Sequence, residues 1–152
     1  KKQCPIWDVR AVDISQEALE VAKKNAHDLN WDVHLKQGDL FEAVGKEKFD
    51  LIASNPPYIP SAEMPELQAE VKHEPALALD GGMDGLDFYR SIAKNYKSAL
   101  KPGGYLAFEF GMGQGDDVCR ILKANGYTVL ERTKDYNDRE RAVLAQLGRK
   151  DD

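Results

Sequence analysis

The chain has 152 residues and a mass of 17.0 kDa, the usual size of one domain, so its core needs no disulfide or metal to stabilise it. Its 21 lysines and arginines stand against 26 aspartates and glutamates, and the resulting net charge of −5 excludes a uniformly basic coat for nucleic acid. With 42% hydrophobic and 31% charged residues, the composition is that of a soluble globular protein and excludes disordered, collagen-like and coiled-coil classes.

The cysteine and histidine content argues against a disulfide framework and against a metal site. Cys4 and Cys119 are the only cysteines, and the three histidines are too scattered in sequence to nominate a ligand cluster. No segment approaches the ~20 apolar residues of a membrane span, and the first residues do not resemble a signal peptide. We therefore expect a protein of the reducing cytoplasm that binds neither a metal nor a membrane.

The first third of the chain alternates short β-branched runs with one amphipathic segment. Residues 6–14 (IWDVRAVDI) predict a strand, and Ser15 is expected to cap a helix over 16–28. A short strand is predicted at 33–37. Residues 49–54 (FDLIAS) predict a strand buried on both faces, because its centre is apolar and the following Asn-Pro-Pro cannot continue a ladder.

The remainder of the chain begins with a long irregular segment and returns to regular structure. Residues 59–87 are rich in proline, glycine and acidic residues without periodicity, which indicates a functional loop rather than a simple connection. The later predicted elements are a helix over 86–100 stopped by Pro102-Gly103-Gly104, a strand over 105–110, a helix over 114–125 closed by Gly126, and strands over 128–133 and 141–147 that form an antiparallel hairpin.

Strands that alternate with helices predict an α/β fold with a mostly parallel sheet, helices on both faces and an antiparallel C-terminal hairpin. Such sheets bind ligands beyond the carboxyl ends of their strands. We therefore expect the informative residues at the points where strands stop.

The strongest signal is Asn55-Pro56-Pro57-Tyr58, directly after the strand at 49–54. Two prolines fix φ and remove two backbone N–H groups, so the loop is stiff and presents carbonyl acceptors. The Asn55 side-chain oxygen and the Pro56 carbonyl can each accept one hydrogen of a planar –NH2 group, while Tyr58 packs against the group that carries it. Positioning a weakly nucleophilic amide or exocyclic amine for attack on a cationic electrophile is the chemistry that this arrangement predicts.

Two weaker signals lie at the ends of the preceding strands. Asp13 follows 9–12, where dinucleotide-type folds place an acid that accepts hydrogen bonds from ribose hydroxyls, although an acid at a helix start is an equal alternative. Asp39, followed by Leu40 and Phe41, can accept from an adenine amino group with an apolar side chain on the ring; an ordinary turn is the alternative. Acid, acid and Asn-Pro-Pro-Tyr thus occupy three successive strand ends.

Two other features are assigned structural roles. Residues 110–115 (FGMGQG) resemble a phosphate loop but follow a late strand without the expected Lys or Ser/Thr, so they predict a flexible strand-to-helix turn. Four aromatic residues are predicted to lie in the core rather than at a cofactor: Trp7, Trp31, Phe108 and Phe110.

From Val9 onward the chain resembles the class I S-adenosylmethionine-dependent methyltransferases, and within them the HemK/PrmC family of protein-glutamine methyltransferases. The motifs that carry the resemblance are VRAVDIS (9–15), QGDLF (37–41), FDLIASNPPYIP (49–60), HEPALALDGGMDGLDFYR (73–90), LKPGGYLAFEFGMGQG (100–115) and DYNDRERAVLAQL (135–147). The Asn-Pro-Pro-Tyr motif is shared with adenine methyltransferases of DNA and with some RNA methyltransferases. Residues 74–86 are more particular to the glutamine enzymes and decide the subfamily.

The resemblance implies a Rossmann-like methyltransferase sheet and a role for each strand end. Asp13 would bind the ribose of S-adenosylmethionine, and Asp39 and Leu40 would lie around its adenine. Asn55 would face both the methionine portion and the substrate amide. Asn55, Pro56, Pro57 and Tyr58 would hold the glutamine of the Gly-Gly-Gln motif of class I peptide-chain release factors, with methyl transfer to the amide nitrogen and no metal.

One part of the family pattern is not found. A glycine-rich loop normally precedes the ribose acid by roughly 20 residues, whereas only twelve residues precede Asp13 and none is glycine. We therefore expect residues 1–152 to be a partial catalytic domain, without the first strand and the family's N-terminal helical domain. The strands at 6–14 and 49–54 should then flank a gap or a strand from elsewhere, and direct pairing between them would contradict this register.

Three alternatives remain open from the sequence. A nucleic-acid adenine methyltransferase would use the same pocket for a flipped base, although the acidic balance and the few basic residues near 59–87 disfavour it. A ribosomal-protein glutamine methyltransferase is a close relative of the favoured family. A non-catalytic binding module is suggested by the absent glycine-rich loop.

Overall fold

The computed structural model describes residues 2–39 and 45–148, and the chain divides into two compact units, Lys1–Glu47 and Lys48–Asp152. In the first unit, strand β1 (Arg10–Asp13) pairs in parallel with β2 (His34–Gln37), with Asp13 opposite Gln37. Helix α1 (Gln16–Asp28) connects them. The Ser15 hydroxyl accepts the Ala18 N–H at 3.1 Å, so the predicted helix and its N-cap are confirmed.

Strand β1 is shorter than the predicted 6–14, because only Arg10–Asp13 lie opposite partners on β2. The chain before it turns instead, and the Trp7 N–H donates to the Cys4 carbonyl at 3.2 Å. Trp7 is 53% exposed, so its prediction as a core residue is wrong. Helix α1 also buries little of its apolar face, since Leu19 is the one described residue of this helix that is buried.

The second unit is a four-stranded mixed sheet in the order β3-β4-β6-β5. Its strands are β3 (Phe49–Ser54), β4 (Leu100–Glu109), β5 (Tyr127–Lys134) and β6 (Glu140–Leu147). The pair β3–β4 is parallel, whereas β4–β6 and β5–β6 are antiparallel. The α/β fold and the antiparallel C-terminal hairpin are therefore confirmed.

Strand β3 is not buried on both faces as predicted. Leu51 is 40% exposed, and the strand is mostly exposed or half-buried. In the described part of the chain β3 is an edge strand that pairs with β4 alone, so its side chains have neighbours from one adjacent strand instead of two. Within the described ranges β1 and β3 belong to different sheets, so the direct pairing that would contradict the predicted register is not observed.

Helix α2 (Asp87–Asn95) and a 3₁₀ turn at Tyr96–Ser98 occupy most of the predicted 86–100 helix. Strand β4 begins earlier than predicted, because Leu100 already pairs with Phe49. An irregularity with Gly103 at φ +75° then precedes Tyr105, where the ladder resumes opposite Leu51. The predicted helix stop is thus a bulge inside a strand.

Helix α3 (Gly115–Ala124) packs on α2, β5 and β6, and Gly126 follows its end at φ +81°, as predicted. Between β3 and α2 the chain forms three 3₁₀ turns, Ser61–Glu66, Val71–His73 and Ala76–Ala78, in the segment predicted to be an irregular loop. No helix in the described ranges has the length and apolarity required to cross a bilayer.

The core of the second unit centres on aromatic residues of α2 and β4. Tyr89 is fully buried and meets Phe108 edge to face, with ring centroids 5.2 Å apart. Its hydroxyl donates to the Glu109 carbonyl at 3.0 Å. Phe110 is also fully buried, so the predicted core positions of Phe108 and Phe110 are confirmed.

The buried hydroxyl of Tyr89 supplies a first test. We expect Tyr89→Phe to lower the free energy of unfolding by about 1 kcal/mol, because it removes the donor to the Glu109 carbonyl without changing the ring. Urea denaturation measures the change. Tyr136→Phe is the matched control, since Tyr136 is fully exposed and its substitution should leave stability unchanged. Equal effects of the two substitutions would contradict the assignment.

Candidate functional site

The Asn-Pro-Pro-Tyr loop starts at the residue after β3, at the carboxyl end of that strand. Asn55 is exposed, Pro56 is buried, and Pro57 and Tyr58 are half-buried. Because neither proline has an N–H group, residues 56 and 57 can contribute only carbonyl acceptors. Asn55 is thus exposed next to a stiff backbone, and its role in binding a planar –NH2 group stays a prediction.

The chain beyond Tyr58 is held by backbone hydrogen bonds to the 79–82 segment. The Ile59 N–H donates to the Leu79 carbonyl at 2.9 Å, and the Ile59 carbonyl accepts from the Gly81 N–H at 2.8 Å. The Ser61 N–H donates to the Gly82 carbonyl at 2.9 Å. The long loop therefore folds back on the residue that follows the Asn-Pro-Pro-Tyr motif.

Three glycines pack against Tyr58 so closely that no side chain fits. A Cβ on Gly81 would lie 2.8 Å from the Tyr58 Cα, and one on Gly111 would lie 2.9 Å from the Tyr58 ring. A Cβ on Gly85, where φ is +72°, would overlap the Tyr58 carbonyl oxygen. Two of these glycines, Gly81 and Gly85, belong to the motif at 74–86 that carries the resemblance to the subfamily. This motif therefore packs directly against Tyr58.

The Gln114 side chain joins the same three segments. Its Nε2 donates to the Tyr58 carbonyl at 2.9 Å and to the Gly85 carbonyl at 3.3 Å. Its Oε1 accepts the Gly111 N–H at 2.9 Å. The predicted flexible turn at 110–115 therefore contains a residue that fixes the Asn-Pro-Pro-Tyr loop, and sequence reasoning missed it.

Arg141 holds the other end of Tyr58. Its Nη2 lies 3.4 Å from the Tyr58 hydroxyl oxygen and 3.4 Å from Glu109 Oε1, and the guanidinium carbon lies 5.8 Å from the ring centroid. The hydrogen bond to the Tyr58 hydroxyl raises the pKa of Arg141 above its ordinary value. Arg141 lies in the DYNDRERAVLAQL motif, whose sequence alone assigns no role to it. The contact with Tyr58 in the folded chain identifies that role.

Two acidic side chains order the loop around Gly82 and Gly85. Asp80 Oδ1 accepts from the Ser61 hydroxyl at 2.7 Å and from the Gly82 N–H at 2.9 Å, and both bonds lower the pKa of Asp80. Asp84 pairs with Arg90 at 2.5 and 2.9 Å, and the bond to Arg90 is the main cause of the lowered pKa of Asp84. The lowered pKa makes each carboxylate a weaker base than an ordinary aspartate.

The predicted cofactor residues lie in the first unit. Asp13 and Asp39 are both exposed. The Asp13 carbonyl accepts the Gly38 N–H at 3.1 Å, so the ends of β1 and β2 lie side by side. Asp13 Oδ1 accepts the Ser15 N–H at 2.9 Å, which is the helix-start role considered as the alternative. Leu40 and Phe41 lie outside the described residues.

Substitution of Gly85 tests the packing on Tyr58. We expect Gly85→Ala to destabilise the second unit by roughly 3 kcal/mol, because a methyl group adds overlap with Tyr58 to the strain of a positive φ. Gly113→Ala is the matched control: φ is +85° there, but no atom lies within 4 Å of the added Cβ, so only about 1 kcal/mol of strain is expected. Chemical denaturation that gives equal losses would refute the crowding.

The lowered pKa of Asp80 gives a pH dependence. A carboxyl group with a folded-state pKa below its ordinary 3.8 stabilises the loop above pH 3.8 and loses that effect as the pH falls further. We expect the Gly82 amide signal in ¹⁵N NMR spectra to shift with acidification through this range. In Asp80→Asn the amide oxygen still accepts but cannot titrate, so a shift that persists there would assign the transition to another group.

The chain was compared with known families, proteins and structures. Residues 1–82 match the model of the methyltransferase small domain. Among curated proteins, the release factor glutamine methyltransferases of Clostridium acetobutylicum and Geobacter sulfurreducens are 44% and 43% identical to it, over 93% and 97% of this chain. The alignments span 51% and 52% of those two proteins, so the chain covers about half the length of the relatives it matches.

Solved structures show the same fold at low sequence identity. A methyltransferase from Pyrococcus furiosus aligns over 97% of this chain and 68% of its own, with a TM-score of 0.73 and 19% identity. The ribosomal protein L11 methylase from Lactobacillus delbrueckii subsp. bulgaricus aligns over 93% of this chain and 58% of its own, with a TM-score of 0.60 and 22% identity. Because the family model covers more than half of the residues and the fold agrees, the chain belongs to the methyltransferase small domain family.

Proposed function

We propose that the protein transfers a methyl group from S-adenosylmethionine to the side-chain amide nitrogen of a glutamine in a protein, and that this glutamine belongs to the Gly-Gly-Gln motif of a class I peptide-chain release factor. The observation that carries the proposal is the stiff Asn55–Tyr58 loop with its exposed Asn55 at the end of β3. The names of the relatives at 43–44% identity support the substrate. The proposal places the protein in the cytoplasm with its substrate.

In this proposal the loop recognises a flat –NH2 group through two acceptors. Asn55 Oδ1 and the Pro56 carbonyl each accept one of the amide hydrogens, and the Tyr58 ring packs against the glutamine side chain. These two hydrogen bonds lie in the amide plane, so the p orbital of the nitrogen, which is perpendicular to that plane, stays open on the face opposite Tyr58. Holding reactants in such a geometry contributes up to ~7–11 kcal/mol in favourable cases.

The chemistry needs no strong base. When bound, the cofactor supplies a sulfonium methyl group. On transfer the S–CH₃ bond would break as the N–CH₃ bond forms, and the positive charge that moves from sulfur to nitrogen would leave as a proton to solvent, so that no residue of the loop has to act as a base. Asn55, Pro56 and Tyr58 thus act by orientation.

The cofactor-binding roles rest on the exposed acids of the first unit. Asp13 can accept a ribose hydroxyl through Oδ2 while Oδ1 keeps its bond to the Ser15 N–H. Asp39 is exposed just beyond β2 and suits an adenine amino group. By the family resemblance, Leu40 would be the apolar contact of the adenine. Two exposed carboxylates at adjacent strand ends fit the hydroxyl and amino donors of an adenosine.

We also propose that the full-length protein supplies the first strand, the glycine-rich loop and an N-terminal helical domain, and that residues 1–152 are part of its catalytic domain. The relatives are about twice as long as the chain. Val12 on β1 is 38% exposed and Leu51 on β3 is 40% exposed, which are apolar surfaces that further elements would cover.

A methylation assay tests the proposed function. The full-length protein is incubated with S-adenosylmethionine and a class I release factor, and the Gly-Gly-Gln peptide is analysed by mass spectrometry. We expect the mass of one methyl group on the glutamine. If the release factor is unchanged while DNA adenine or a ribosomal protein is methylated, the proposed substrate is wrong and the methylated molecule takes its place. If none of them is methylated, the protein is a non-catalytic binding module.

The role of Asn55 is tested by substitution. We expect Asn55→Ala in the full-length protein to lower turnover by about 100-fold or more while the Kd of the cofactor changes far less, since the amide loses its orientation. Asn95→Ala is the control, because Asn95 lies on α2 and its side-chain amide donates to the Ser91 hydroxyl. Equal losses of turnover and of cofactor affinity would show that Asn55 serves the cofactor alone.

A further inference from the structure

Gln114 occupies an unusual position for its residue type. It is the N-cap of α3, where Ser, Thr, Asp and Asn are favoured because their short side chains accept a helix N–H. The Gln114 side chain makes no capping bond. It is directed instead at the backbone of two loops that are distant in sequence. A glutamine at this position breaks the local preference for a capping residue and makes tertiary hydrogen bonds instead, which is a pattern expected at functional sites.

The bonding pattern at Gln114 requires an amide. The side chain faces two carbonyl oxygens, of Tyr58 and Gly85, and one N–H group, of Gly111. An uncharged amide has one acceptor oxygen and two N–H donors, which match these partners one for one. A carboxylate would face the two carbonyls with no donor, and an aliphatic side chain would leave all three groups without this partner.

The Asn55–Tyr58 loop depends on such an outside donor. With prolines at 56 and 57, the loop has two fewer backbone N–H groups with which to bond to the segments around it. Its carbonyls at the substrate position must remain free to accept from the amide. The Tyr58 carbonyl is therefore the point at which the loop can be fixed without blocking substrate, and Gln114 bonds there at 2.9 Å.

We propose that Gln114 is a positioning residue for the substrate-binding loop, which it holds through the Tyr58 carbonyl so that Asn55 and Pro56 keep the spacing of a single –NH2 group. The inference rests on the proposed function. Gln114 itself touches neither substrate nor cofactor in this scheme. Because residues 85 and 111 are glycines, the loops approach closely enough for the Gln114 side chain to reach the backbone of Tyr58, Gly85 and Gly111.

Kinetics of a near-isosteric variant tests the proposal. In the full-length protein we expect Gln114→Leu to raise the KM for the release factor and lower kcat, with a combined loss of about 100-fold in kcat/KM and a cofactor Kd within about twofold of wild type. Gln146→Leu is the matched control, because Gln146 also donates to a backbone carbonyl, that of Gly103, at 2.9 Å. A loss for Gln114→Leu no larger than that for the control would overturn the proposal.

A second variant separates positioning from general stability. In Gln114→Glu the protonated side chain retains one donor and one acceptor, whereas the carboxylate faces two carbonyls, so the surroundings raise the pKa of this glutamate above the ordinary ~4.3. The stabilising form is then lost as the pH rises through the raised value. We expect its activity relative to wild type to be several-fold higher at pH 6 than at pH 8. A ratio that is independent of pH would overturn the proposal.

Amide hydrogen exchange keeps the test independent of catalysis. We expect Gln114→Leu to increase exchange in peptides that contain Ile59, Gly81 and Gly111, and to leave peptides of β5 unchanged. If wild type transfers no methyl group to a release factor, the proposed function fails, and this exchange pattern alone then decides whether Gln114 holds the loop. Exchange that is unchanged at all three amides would refute the role of Gln114.

Discussion

The candidate site depends on the contacts that other segments of the chain make with the Asn55–Tyr58 loop. Prolines at 56 and 57 make the chain after β3 stiff, but they also remove two backbone donors that could have bonded to neighbouring segments. The surrounding segments supply what the loop lacks, namely the Gln114 amide on the Tyr58 carbonyl and the Arg141 guanidinium at the Tyr58 hydroxyl. The stiffness is local, whereas the position of the loop is decided by residues 56 and 83 positions later in the chain.

The glycines explain why these distant segments can meet. At residues 81, 85 and 111 any side chain would collide with Tyr58, so glycine is required by contact rather than by turn geometry alone. Gly113 has a similar positive φ but open space around it, and there the conformation is the only constraint. The acids of the same loop, Asp80 and Asp84, are used in hydrogen bonds that order it. These hydrogen bonds also lower the pKa of both carboxyl groups.

Local sequence predicted the elements well where their signals were local. The Ser15 cap, the bounds of α1, the bounds of β3 and the C-terminal hairpin follow from capping chemistry, periodicity and turn composition. Predictions failed where the outcome depended on neighbours in space. The burial of β3 required knowledge that it is an edge strand, and the early start of β4 depended on the pairing of Leu100 with Phe49.

Taken by itself, the sequence determined the α/β class, the strand end at which the Asn55–Tyr58 loop lies, and the resemblance to glutamine methyltransferases that the relatives at 43–44% identity support. These depend on residue types and on spacing along the chain, which a sequence contains directly. Only the tertiary structure identified Gln114 and Arg141 as the groups that hold Tyr58, since hydrogen bonds across 56 and 83 residues have no local signal. The role of a glutamine in a glycine-rich turn depends on the segments that pack against it, and the sequence does not show which segments these are.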